Sequence, residues 1–189
     1  MTIQVRQEGA SAEGDIVGRD KVQHIEHHHY PTTSPLGIVE QLLVKLQAEI
    51  ENNEKVRHTL QALAHFQTRH SHDSIDGLEA KLQAGQRAQE YEIAIEKKEM
   101  FVKLLEKWSL YESAQEIFVF LLAKAEHDFT YLIHPRLKSA NQVEINQLVN
   151  DLIVMPTIQQ CGTTVFTLNH GIAMGMVYWL AEQCFVRWH

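Results

Sequence analysis

Proline and glycine are scarce in this chain, four and nine among 189 residues. Both residues punctuate turns, so a turn-rich sandwich is disfavoured and helices are expected. Cysteine is scarcer still: Cys161 and Cys184 stand alone, far from any paired-ligand spacing. No apolar run approaches the ~18 residues that a membrane-spanning helix needs. The first residues, Met1-Thr2-Ile3-Gln4-Val5-Arg6, lack the basic-then-apolar order of a signal peptide. A cytoplasmic chain with reduced thiols and no membrane contact is the expectation. Basic charge is also undeveloped. No basic run is longer than Lys97-Lys98 and the net charge is -7, so nucleic acid is expected to matter only indirectly, through partners.

What is present divides the chain in two. Hydrophobic residues make up 44%, enough for a sizeable core. The first 35 residues hold Gly9, Gly14, Gly18, Pro31 and Pro35 and little helical period. Within them, Gly14-Asp15-Ile16-Val17-Gly18-Arg19-Asp20-Lys21-Val22 mixes β-branched residues with glycine and aspartate. That composition suits one or two short strands. A lone strand pair is marginal in water and its edges recruit other strands. Residues 1–35 are therefore expected to be an extended arm, with Asp15, Ile16, Val17, Asp20 and Val22 as partner-interface residues.

From residue 36 the period becomes helical. Leu36, Val39, Leu43, Leu46 and Ile50 alternate steps of three and four, the seam of an amphipathic or coiled-coil helix. Val56, Leu60 and Leu63 continue a stripe after a possible break at Asn52-Asn53. Asp73 and Ser74 suit the N-cap of a short helix carrying Leu78 and Leu82, weakened by Gly77. Tyr91, Ile95, Val102, Leu105 and Trp108 mark the next helix. Ser113 and Glu116 read as a capping box for a helix through Phe129, closed by Pro135. Val143 to Ile153 gives a shorter helix, closed by Met155-Pro156. A last helix runs from about Gly171 to Leu180, and the aromatic terminus that follows is expected to dock. The fold class is thus mainly α: a bundle-like domain over 36–189 behind a short extended arm.

Twelve histidines are the loudest chemical feature. Imidazole is the commonest metal ligand, so His58, His65 and His70 define an alternative reading as a small metal-dependent hydrolase. No H-E-x-x-H occurs, and His27, His28 and His29 cannot all face one ion from a strand, because alternate side chains point to opposite faces. The histidines are therefore read as solvated or partner-facing, with no metal. Cys161 with His170 is a nominal nucleophile pair, but no oxyanion hole is recognisable and cysteine is among the most buried residue types. Gly14-Asp15-Ile16-Val17-Gly18 has neither the Lys-Ser/Thr of a P-loop nor the third glycine of a dinucleotide turn. No catalytic residue and no cofactor are assigned. Trp179, Arg187 and Trp188 join the expected partner interface, since tryptophan and arginine dominate binding hot spots.

Two segments carry a family resemblance. Gly14 to Val22 resembles the "GDIVGGDKI" signature of bacterial conflict proteins, with Arg19 where a further glycine often stands. Gly175-Met176 through Trp188 resembles the C-terminal motif of ABC-three-component defence systems, which include Lamassu-like ones. Tyr178 stands where that motif often has histidine. The likeness covers 87–189, leaving 36–86 as a helical linker region. It implies an adaptor in an anti-phage or anti-plasmid complex, with an SMC-like ATPase and an effector, often a nuclease, as partner subunits. A homo-oligomeric scaffold built on the Leu36–Ile50 seam is the other alternative, through self-association.

Overall fold

The computed structural model describes residues 37–69 and 75–189, and the arm with its strand segment lies outside them. The described residues are mainly helical, with no strand among them.

The first helix, α1 (Ile38–Glu51), starts where the Glu40 carboxylate accepts the Gly37 N–H at 2.9 Å. Its seam is used inside the chain. Val39 and Leu46 are buried, Leu43 and Ile50 half-buried, and the helix packs on α5 (Glu112–Asp128). The seam expected to drive self-association therefore faces the chain's own core. Asn53, in the left-handed region at φ 55°, follows the end of α1.

The stripe through Val56 and Leu60 does not continue as helix; α2 begins only at Gln61 and ends at Gln67. Fully buried Gln115 explains the loop between. Its amide Nε2 donates to the carbonyls of His58 (2.9 Å) and Ser109 (2.7 Å), and its Oε1 accepts the Leu60 N–H at 2.6 Å. Backbone groups satisfied this way need no helical partner.

Beyond α3 (Gly77–Ala84) a 3-10 turn, Ala88–Glu90, leads into α4 (Tyr91–Trp108). Asp76 holds the N-cap position of α3, the expected Asp73 and Ser74 lying outside the described residues, and the first turn receives the Glu182 carboxylate, which accepts the Leu78 N–H at 3.2 Å.

The expected S-x-x-E box at the start of α5 is corrected by the structure. Tyr111 is the N-cap residue, and Ser113 lies one residue inside the helix. Ser113 is fully buried and bonds Glu49 of α1, while Glu116 pairs with Lys45 at 3.3 Å. Pro135 does close this stretch, but α-geometry ends at Asp128, followed by a π-helical segment, Phe129–Ile133, and a 3-10 turn, His134–Arg136.

Pro156 terminates nothing. The helix α6 (Gln142–Val149) passes through a second π segment, Asn150–Val154, into α7 (Met155–Cys161), whose second residue is that proline. Proline fits a first helical turn. Four residues back, the Leu152 carbonyl accepts instead from Lys124 Nζ at 3.1 Å.

The centre of the fold is α8 (His170–Glu182), opened by Asn169, whose side chain accepts the Ile172 N–H at 3.0 Å. It is apolar nearly all round, the mark of an enclosed helix. Ala173, Met176, Val177, Leu180 and Ala181 are at most 1% exposed. Burying a side chain such as Leu180 contributes about 1.5–3 kcal/mol. Gly175 permits a close crossing with α4, since a Cβ there would collide with the Lys97 carbonyl. The terminus docks as expected, with Val186 1% and Trp188 2% exposed. Gly85 makes room for it, because a Cβ on Gly85 would sit 2.5 Å from the Trp188 carbonyl.

Candidate functional site

Of the expected partner-interface residues, Asp15, Ile16, Val17, Asp20 and Val22 lie outside the described residues. Trp179 and Trp188 are placed inside the chain's own core, at 5% and 2% exposure, which removes both from the accessible surface. Trp179 is carried inward by α8 and packs on Phe101 at 5.7 Å; Trp188 meets Phe129 edge-on at 4.9 Å. Arg187 is half-buried and lines a cavity of about 450 Å³ with His65, His134 and Phe185.

His58 is exposed on the loop held by Gln115. His65 is exposed on α2, its ring 5.3 Å from that of Phe185, and His70 lies outside the described residues. Among the described residues no group of three histidine, cysteine or acidic side chains is placed to hold a metal ion. Cys161 is fully buried, and burial pushes its thiol up to about 12, which disfavours the nucleophilic thiolate. His170 is exposed on the first turn of α8.

The constellation that sequence reasoning missed surrounds Tyr178. Its hydroxyl donates to Glu90 Oε2 at 3.3 Å. Burial, then the neighbouring Glu90 carboxylate, raises the phenol above its usual range and keeps it a donor. The other Glu90 oxygen accepts from Gln142 Nε2 at 2.8 Å, and Arg87 Nε reaches Oε2 at 3.2 Å. Arg87 is 4% exposed, donates also to Asn146 Oδ1, and lies over the Trp188 ring at 4.4 Å. One buried guanidinium thus ties the start of α4 to α6 and to the docked terminus. The sequence signal was Tyr178 itself, a polar group in an otherwise apolar helix.

Beside this network runs a groove of about 340 Å³ between the α4–α8 pair and the α6–π-segment run. Each side contributes a stripe at helical spacing: Ile93 and Lys97 from α4, led by its N-cap residue Glu90, and His170, Met174 and Tyr178 from α8. Asn146, Val149 and Asn150 form the facing wall. The bounded π segment starting at Asn150 contributes to that wall, and such segments recur at functional sites.

Residues 77–188 match the family model for C-terminal domain 9 of the ABC-three component (ABC-3C) systems. The match takes in α3 as well as everything from α4 to Trp188, and it begins ahead of the boundary at 87 expected from sequence. No curated protein and no solved structure matches.

Proposed function

This chain belongs to the family of C-terminal domain 9 of the ABC-three component systems, and we propose that it serves there as a non-catalytic coupling subunit. In this reading it joins an SMC-like ATPase to an effector subunit, and nucleic acid acts on it only through those partners. Coupling requires that a partner's state change which contacts are favoured, because an equilibrium shifts only through differential affinity.

The observation that carries the reading is how the family region uses its side chains. Its buried Arg87 bonds within the fold, to Glu90 and through it to Tyr178, while large apolar side chains stand in solvent. Ile93, which lines the groove, is 55% exposed, and Val143, on α6, is 77% exposed. Exposed apolar groups grouped around a concave surface mark contact sites. The sequence-expected arm, residues 1–35, would add strand pairing to a partner's sheet edge.

The test is genetic and biochemical. Cells carrying the whole system without this chain should lose protection, while the separately purified ATPase and effector keep their own activities. Protection that persists without the chain would reject the role.

A further inference from the structure

We infer that the groove between α4, α8 and α6 seats an acidic residue flanked by apolar side chains on a segment of a partner subunit. The inference rests on the coupling reading and adds the surface and the chemistry it selects.

The charge inside the groove points that way. Glu90 is the one carboxylate among its lining residues, and it already accepts from Arg87, Gln142 and Tyr178. Lys97 and His170 line the other stripe ends and have no ion-pair or hydrogen-bond partner among the described residues. Asp151, adjacent to the wall, is occupied by Gln147 and Asn150. His170 also opens α8, whose positive dipole end adds to the local field. With Glu90 held by Arg87, Lys97 is the charge this groove offers a partner, on a chain whose net charge is -7 with histidine neutral.

The apolar half of the selection comes from the same stripes. Ile93 lies one turn before Lys97 on α4, and Met174 one turn after His170 on α8. Val149 and Val154 face them across the groove. A partner side chain of Asp or Glu would meet Lys97 and His170, with its apolar neighbours on Ile93 and Met174. The close crossing at Gly175 fixes the two stripes side by side, so the seat exists before a partner arrives.

The experiment uses the full chain with the ATPase and effector subunits proposed as its partners, each purified and measured separately for binding. Lys97→Glu and Ile93→Asp should each weaken binding to one of the subunits by about tenfold, with thermal melts unchanged because neither side chain is in the core. Val44→Asp, an exposed apolar site on α1 outside the groove, should bind like the parent. A photo-crosslinking residue at position 93 should capture a partner peptide containing Asp or Glu beside apolar residues. Parental affinity in both groove variants would overturn the seat while leaving the coupling reading intact. Capture of nucleic acid or of a second copy at position 93 would overturn it also. If the parental chain binds neither subunit, the coupling reading fails and the seat with it.

Discussion

Glu49 on α1 closes the first turn of α5 through Ser113: its Oε1 accepts the Ser113 hydroxyl at 2.7 Å, and its Oε2 the Ser113 N–H at 3.2 Å. A carboxylate at a helix N-terminus is favoured by the free N–H groups and by the helix dipole. The same device recurs at the other end of the fold, where Glu182 of α8 meets Leu78 of α3 and also pairs with Arg69 at 2.6 Å. Helices distant in sequence therefore close one another's ends, and the domain is braced by its caps as well as by its core.

Replacing Glu49 by alanine leaves a buried hydroxyl and an N–H without their acceptor. The expected loss is about 1–3 kcal/mol in urea unfolding. A double-mutant cycle with Ser113→Ala should return much of that loss as coupling; additive effects would mean that the pair does not act together.

Gly175 is replaceable only by moving α4. Gly175→Ala should cost roughly 1–3 kcal/mol, at the upper end because the collision is with backbone. Calorimetry would register the drop, and an unchanged melt would contradict the close crossing.

Arg87→Lys keeps the charge but loses the planar fork that serves Glu90 and Asn146 together while covering Trp188. The substitution should destabilise by roughly 1.5–3 kcal/mol and alter the near-ultraviolet dichroism from Trp188. A silent substitution would show that only the charge is needed.

Cys161 carries a prediction in alkaline solution. Its folded thiol is pushed up to about 12 by burial, from the ordinary value of 9.0, so the unfolded chain releases that proton first. Stability should be full below pH 9 and fall as pH rises from 9 towards 12, by at most about 1.4 kcal/mol per pH unit from this group. Tyr178, raised in the same direction, adds to the fall above its own ordinary value of 10.0. Mass mapping at pH 8 should find Cys161 unmodified by a thiol reagent until the protein is unfolded.

The helices were legible because their apolar spacing reports a buried face directly, as at Val39, Leu46, Leu82 and Leu105. Docking of the aromatic terminus was legible too. What escaped depended on partners remote in sequence. Ser113 resembled a local cap because Glu116 sits three residues on, yet its acceptor, Glu49, lies 64 residues away. Pro156 resembled a stop because nothing nearby reveals that Lys124 serves the Leu152 carbonyl. Trp179 and Trp188 resembled surface anchors by residue type; Trp179 is buried by the packing of α8, and Trp188 by docking of the terminus against Phe129 and Gly85. The groove was illegible for the same reason, since its stripes come from helices whose pairing no spacing rule reveals.

The most direct measurement is the mass of the purified chain after co-expression with the ATPase and effector subunits, by light scattering in line with size exclusion. Contact without chemistry requires a stable assembly containing this chain, in which the chain alone turns over no substrate. A chain that elutes apart from both subunits, or that catalyses a reaction by itself, would contradict it.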